Sequence, residues 1–228
     1  MKIAEIFYSV QGEGVLAGAP SVFVRTSGCN LRCVWCDTPY TSWTVEGETL
    51  SVGEIVERVR RYPAARHVVI TGGEPMLFPE TAELAGEFRR LGLHITIETA
   101  GTVFQKLECD LMSISPKLAN STPHQRDGGR WAARHESLRY QPDVLRKLMG
   151  AYEHQLKFVI ADPADIAEVK RIAAEVNATA ARVVLMPEGV TRETLAERGR
   201  WITGVCMSEG YRYSPRLHVD LWGDERGR

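Results

Sequence analysis

His67-Val68-Val69-Ile70-Thr71-Gly72-Gly73-Glu74-Pro75 is the stretch on which the fold turns. Its first half is a continuous apolar run without alternation, the pattern of a strand covered on both faces inside a parallel sheet. Its second half stops that strand abruptly with glycine and proline. On its N-terminal side, Ser51 to Arg61 carries Val52, Ile55, Val56 and Val59 at helical spacing, opened by a Ser51/Glu54 capping-box pattern and closed near Pro63. On its C-terminal side, Pro79 to Leu91 places Leu84, Ala85, Phe88 and Leu91 on one face, with Gly92 as the stop. A buried strand between two amphipathic helices is the repeating unit of an α/β sheet.

The unit recurs in both directions. Ser21 to Arg25 predicts a strand running into a turn at Gly28, and His94 to Glu98, Asp110 to Ser115, Gln155 to Ile160 and Arg182 to Met186 predict four more. Pro163 to Val176 and Thr191 to Met207 predict helices. Leu118 to Asp143 is polar and aperiodic and is expected as the longest loop, while Leu217 to Trp222 is expected as a last strand or extended tail. A closed eight-fold barrel takes about 250 residues, so 228 residues with a long loop predict a partial, open TIM-like barrel of about six parallel strands with helices outside. With no repeat or linker, residues 1–228 are expected to form a single domain, ending in a tail at about 216–228. Ligands of such sheets gather at the carboxyl ends of the strands, where the glycine-rich loops lie.

Composition narrows the class. Hydrophobic residues make up 44% and charged residues 25%, as in ordinary globular proteins. A net charge of -1 provides no general field for a polyanion, so direct binding of nucleic acid is not expected. Glu5, Gln11 and Glu13 interrupt any secretion signal, and no run approaches the ~20 apolar residues of a membrane span, so a cytoplasmic protein is expected.

Five cysteines, an odd number at low density, point to reduced thiols. Cys29, Cys33 and Cys36 form C-x3-C-x2-C, while Cys109 in a strand start and Cys206 in an apolar helix read as buried bystanders. The trio admits several chemistries. C-x2-C is half of a zinc site but lacks a second pair, and a redox dithiol leaves Cys29 unexplained. A four-iron cluster, normally held by four thiolates, would keep one iron open to chelate a small molecule through an amine and a carboxylate, such as S-adenosylmethionine.

The spacing, with Trp35 before the last cysteine and Gly72-Gly73-Glu74-Pro75 downstream, resembles the radical S-adenosylmethionine (radical SAM) enzymes. Further motifs in fixed order sharpen the likeness. Gln11-Gly12-Glu13-Gly14, Arg25, Cys36-Asp37-Thr38, Thr71 to Pro75, Ile97-Glu98-Thr99, Ser115-Pro116-Lys117 and Leu217 to Gly223 together resemble the 7-carboxy-7-deazaguanine synthase family over almost the whole chain. The resemblance implies a lyase that converts 6-carboxy-5,6,7,8-tetrahydropterin to 7-carboxy-7-deazaguanine with loss of ammonia, toward queuosine and other 7-deazapurines. It implies a 4Fe-4S cluster on Cys29, Cys33 and Cys36, and magnesium on Thr38. It places S-adenosylmethionine against Trp35, Cys36, Asp37, Gly73, Glu74, Ser115, Pro116, Lys117, Met186, Pro187, Glu188 and Gly189. It sets Val10, Gln11, Gly12, Glu13, Arg25, Thr71, Glu98 and His218 on the pterin. A carboxylate such as Glu13 suits pterin N–H donors, and Arg25 suits a carboxylate. A homodimer and an electron donor such as flavodoxin or ferredoxin are the implied partners.

The chain lacks the insert that some relatives carry between the first two cysteines. It has Met186 where others have Gln, so backbone contact is expected there, and it ends in a longer tail than relatives with a terminal proline. A glycyl-radical-enzyme activase shares the cluster motif and size but is not expected to carry Gln11 to Gly14 or the Leu217 to Gly223 motif. A zinc or redox module is the non-enzymatic alternative. Trp131 with the arginines around it reads as a solvated loop over the site.

Overall fold

The computed structural model describes residues 1–228. A hairpin opens the chain: β1 (Lys2–Val10) runs antiparallel to β2 (Pro20–Thr26), and β3 (Glu48–Thr49) lies antiparallel on the outer edge of β1. From β2 onward every pairing is parallel, through β4 (His67–Gly72), β5 (His94–Thr99), β6 (Leu111–Ile114), β7 (His154–Ile160), β8 (Val183–Pro187) and the short β9 (Arg212–Tyr213). The strand order is β3-β1-β2-β4-β5-β6-β7-β8-β9, so the two edges never meet and the barrel is open. Six parallel strands, β2 and β4 to β8, form its wall, as the length predicts, and the two-residue β9 adds a seventh at the edge. The antiparallel hairpin at one edge is an addition that the alternation of strands and helices did not foretell.

Helices connect the strands and cover the outer face: α1 (Val52–Arg60), α2 (Glu80–Arg90), α3 (Ala132–Arg139), α4 (Pro142–Ala151), α5 (Asp165–Glu175) and α6 (Arg192–Glu209). The capping box at α1 is present, with Ser51 Oγ accepting from the Glu54 N–H and the Glu54 carboxylate accepting from the Ser51 N–H. Ile55, Leu84, Phe88, Leu148, Ile172 and Ile202 from these helices are buried against Ile70, Ile97, Met112, Phe158 and Leu185 of the strands in one continuous core. Burial on both faces explains why the strands read as unbroken apolar runs.

Two expectations are corrected. The segment 118–143 is not a loop throughout, since it contains α3, two 3-10 turns (Ala119–Ser121 and Arg126–Gly129) and the start of α4. Its inward-facing side chains include the polar Ser121, Thr122 and His135, which hides the period that burial of apolar residues would have given. Leu217–Trp222 is a helix, α7, because Val219 turns into the protein while its neighbours stay polar or exposed. No helix of the chain is long and apolar enough to cross a membrane. Cys206 lies in the core and Cys109 packs against it, both away from the other three thiols.

Candidate active site

Parallel register writes a row of polar side chains across the carboxyl ends of the strands. Arg25 pairs with Thr71, Glu98 with Ser113, and Ser113 with Gln155, while Thr71 Oγ1 donates to Glu98 Oε2 at 2.7 Å. Directly paired residues point to the same face, so these strands aim one row at one place, and Lys157, two residues beyond Gln155, joins it. That place is a cavity of about 470 Å³, inside the usual range for small-molecule sites.

All eight residues expected on the pterin line this cavity. Gln11 Nε2 donates to Glu98 Oε1 at 3.1 Å, and Gln11 Oε1 accepts from the Glu13 N–H at 3.1 Å, which fixes the Glu98 carboxylate and the Glu13 backbone. Arg25 Nε donates to Glu5 Oε1 at 2.5 Å, and this anchors the guanidinium while leaving its terminal nitrogens free for an anion. Gly12 is required by packing: a Cβ there would lie 2.0 Å from His218 Nδ1, and Gly12 O accepts from the Leu217 N–H at 2.9 Å. His218 of α7 is thereby laid over the QGEG stretch. Phe7 and Phe23 stack beside Arg25, with centroids 5.0 Å apart.

Sequence reasoning missed the charges that hold Glu13. Its carboxylate pairs with Lys157 Nζ and with Arg216 Nε at 3.1 Å, and Arg216 also pairs with Asp37 and donates to Gly189 O at 2.7 Å. Burial opposes the charge of Glu13, yet Lys157, Arg216 and His218 outweigh it and hold the carboxyl well below its usual range. Lys157 lies within the buried strand β7, and a lysine in such a run was the available signal.

The cysteines line the same cavity, with Trp35, Asp37, Thr38, Gly73, Ser115, Lys117 and Met186. Their loop interlocks with the Gly72-Gly73 loop through backbone: the Gly73 N–H donates to Thr26 O, and the Glu74 N–H donates to Gly28 O at 2.9 Å. A Cβ on Gly73 would lie 2.1 Å from Gly28 O, so only glycine permits this approach. Leu31, Cys33 and Ala100 form a small apolar cluster against Cys29, Cys36, Trp35 and Leu138. Burial pushes the Cys29 thiol up to about 12 and raises Cys33 as well.

Three free thiols facing one cavity fit an iron-sulfur centre, because a bound cation supplies what buried thiolates need. Thr38 Oγ1 lies 3.9 Å from Cys36 Sγ, at the cavity wall. Magnesium takes few protein ligands and keeps the rest for water and substrate, which a lone hydroxyl accommodates.

Some expected residues stand behind the wall. The Glu74 carboxylate is fully buried and turned to Met76 N, Thr99 Oγ1 and the Ala100 N–H, binding the glycine loop to the end of β5. Pro116 is absent from the lining, though Lys117 Nζ donates to Ser115 O and Oγ at 2.8 and 2.9 Å. Pro187, Glu188 and Gly189 also lie outside it; Glu188 pairs with Arg198 and Gly189 holds Arg216. The tail from Asp224 to Arg228, which no family motif covers, does line the cavity.

Comparison with known proteins bears on the family and the fold. Residues 23–140 match the radical SAM superfamily. The chain is similar to the 7-carboxy-7-deazaguanine synthase of Halobacterium salinarum, 49% identical over 98% of this chain and 91% of that relative. The enzyme of the same name from Rhodopirellula baltica is 41% identical over 99% of this chain and 88% of its own. In fold it is similar to the crystal structure of QueE from Escherichia coli, with a TM-score of 0.71 and 24% identity over 95% of this chain and 94% of that one.

Proposed function

The chain belongs to the radical SAM superfamily and, within it, to the 7-carboxy-7-deazaguanine synthases, and from that premise we propose how its own residues share the work. It is a lyase that converts 6-carboxy-5,6,7,8-tetrahydropterin to 7-carboxy-7-deazaguanine with loss of ammonia, using a 4Fe-4S cluster and S-adenosylmethionine. Membership in that family displaces the activase and the zinc-module alternatives.

Cys29, Cys33 and Cys36 hold the cluster in this proposal, and Trp35, Asp37, Gly73, Ser115, Lys117 and Met186 frame S-adenosylmethionine. When bound and reduced, the pair would supply a 5′-deoxyadenosyl radical for hydrogen abstraction from the pterin. Glu13 and Glu98 accept N–H donors of the pterin edge, with Gln11 linking the Glu98 carboxylate to the Glu13 backbone. Arg25 takes the substrate carboxylate through its terminal nitrogens. Thr38 would contribute its hydroxyl to magnesium, which would supply a Lewis acid for the substrate. Glu74 acts by positioning the glycine loop, and the tail and the small apolar cluster keep water from the radical.

The observation that carries this division is the single cavity lined both by the three thiols and by the Gln11-Glu98-Thr71-Arg25 row. The deciding experiment incubates anaerobically reduced protein with S-adenosylmethionine and the carboxytetrahydropterin and seeks 7-carboxy-7-deazaguanine by mass spectrometry. Consumption of neither compound by brown, iron-loaded protein would overturn it. The Thr38→Ala variant is expected to lose most of its response to magnesium while still cleaving S-adenosylmethionine, and a wild-type magnesium response would remove Thr38 from the site. A homodimer, a cytoplasmic location and a flavodoxin or ferredoxin as reductant complete the proposal on family resemblance, and sedimentation velocity tests the first of these.

A further inference from the structure

Arg216 is a buried cation that belongs to no motif. Its side chain is 7% exposed, just before α7, and its guanidinium joins three separate segments. Nε donates to Glu13 Oε1 at 3.1 Å, Nη1 donates to Gly189 O at 2.7 Å, and Nη2 pairs with Asp37. Glu13 lies in the stretch that takes the pterin. Asp37 follows the last cysteine of the cluster loop, and Gly189 lies three residues past Met186, so both stand on the S-adenosylmethionine side.

These contacts require a guanidinium. Its five N–H donors lie in one rigid plane and can hold acceptors that arrive from three directions, whereas an ammonium gathers its donors at one point. Two of the acceptors are carboxylates that repel one another. Burial and the Glu13 charge oppose ionisation of Asp37, yet Arg216, helped by Arg25, holds its carboxyl below the usual range. The neighbouring backbone is joined to the pterin stretch on its own account. The Leu217 N–H donates to Gly12 O at 2.9 Å, and Ser214 Oγ accepts from the Gly14 N–H at 2.7 Å. The guanidinium is the reach of this segment across the cavity to the loops of the other ligand.

We propose that Arg216 couples the two binding sites, so that S-adenosylmethionine and the pterin each bind more tightly when the other is present. The inference rests on the pterin lying at Glu13 and S-adenosylmethionine at Asp37. A ligand that orders one of the three segments fixes the guanidinium, and the remaining segments are then ordered at a lower entropic cost to their own ligand. Such coupling suits a radical reaction, because S-adenosylmethionine that binds weakly until the pterin is seated is protected from cleavage without product. Arg216 acts here as a positioning residue, through Glu13 and Asp37.

The test titrates oxidised, iron-loaded protein anaerobically, since without a reductant neither ligand is consumed. Calorimetry gives the dissociation constant of S-adenosylmethionine with and without saturating 6-carboxy-5,6,7,8-tetrahydropterin, and that of the pterin with and without saturating S-adenosylmethionine. In the wild type each ligand is expected to tighten the other about ten-fold, and the two factors must agree because coupling is reciprocal. Arg216→Gln is expected to bring both factors below about two-fold. Arg216→Lys keeps the charge between Glu13 and Asp37 but cannot span three acceptors, so it is expected to lose most of the coupling while retaining iron content and melting temperature. A residue that only stabilised the fold would weaken each ligand alone and leave the factor unchanged. Hydrogen exchange supplies a second readout: the pterin alone should slow exchange at Asp37 and Thr38 in the wild type and not in Arg216→Lys. A wild-type factor of one, or full coupling in Arg216→Lys and Arg216→Gln, would overturn the proposal. Failure of the underlying placement is distinguishable, because Glu13→Gln would then leave the affinity for the pterin unchanged, and Asp37→Asn that for S-adenosylmethionine.

Discussion

Lys157 concentrates the residue-scale argument. Its ammonium is buried against Glu13, and Arg216 completes a chain of alternating charge that runs on to Asp37. Removing one partner of a buried pair costs about 3–5 kcal/mol when the other charge is stranded, but Arg216 remains, so Lys157→Met should lose only about 2 kcal/mol in thermal or denaturant melts. The functional effect is separate. Glu13 is held ionised by its cations against its burial, so removing Lys157 raises its pKa. The acid limb of kcat/KM should then move to higher pH, with KM for the pterin up about ten-fold and Lys157→Arg recovering most of the loss. An unchanged acid limb in the methionine variant would show that Glu13 does not need Lys157. The motif residues were legible because backbone contacts and paired carboxylates leave short signatures such as QGEG. Lys157 and Arg216 form no motif, and only their placement in a buried strand and tail reveals them.

At the scale of elements, the segment from Ala119 to Arg139 is the part that sequence misdescribed. Its polarity has the look of a solvated loop, yet it braces the cysteine loop from outside. The Val34 N–H donates to Ser121 O at 2.8 Å, the Trp35 indole N–H to Asn120 O at 3.1 Å, and the Arg32 N–H to His135 Nδ1 at 3.1 Å. Accepting at Nδ1 leaves His135 Nε2 to donate to Ser121 Oγ at 2.8 Å, which itself donates to Leu118 O. The ring is thus used as a neutral link, and burial lowers its pKa to about 4 from 6.5. Between those values the unfolded chain binds the extra proton, so stability is complete above pH 6.5 and declines as pH falls toward 4. Melting temperature measured across that window should fall in the wild type and fall less steeply in His135→Gln, which should also retain less iron after reconstitution. A variant with the same slope and full iron would remove His135 from the brace. By contrast the strands and major helices were legible, because Ile70, Phe88 and Ile97 are fully buried and burial imposes their period.

For the whole molecule, an open barrel leaves a mouth at the edge where the β1–β2 hairpin stands, and the C-terminus crosses it. Arg226 ties the tail to that hairpin: its guanidinium donates to Glu5 Oε2 at 3.1 Å and Glu46 Oε2 at 3.2 Å, and lies 3.9 Å over the Tyr40 ring. Glu5 holds Arg25 and Tyr40 as well, so one carboxylate joins the tail to the arginine assigned to the substrate. No sequence pattern announced this, since the contacts join residues from opposite ends of the chain. These pairs are half exposed and worth about 0–1 kcal/mol each at most, so Arg226→Ala should leave the melting temperature nearly unchanged. Its consequence should appear in turnover instead. With the tail untied, water gains access to the radical site, and more S-adenosylmethionine should be cleaved per molecule of 7-carboxy-7-deazaguanine formed, by roughly three-fold or more, with a higher KM for the pterin. Truncation after Gly223 should reproduce both effects. Quantifying 5′-deoxyadenosine against deazapurine in the same reaction checks this, and a wild-type ratio in both variants would show that the tail is a bystander at the mouth rather than part of the enclosure.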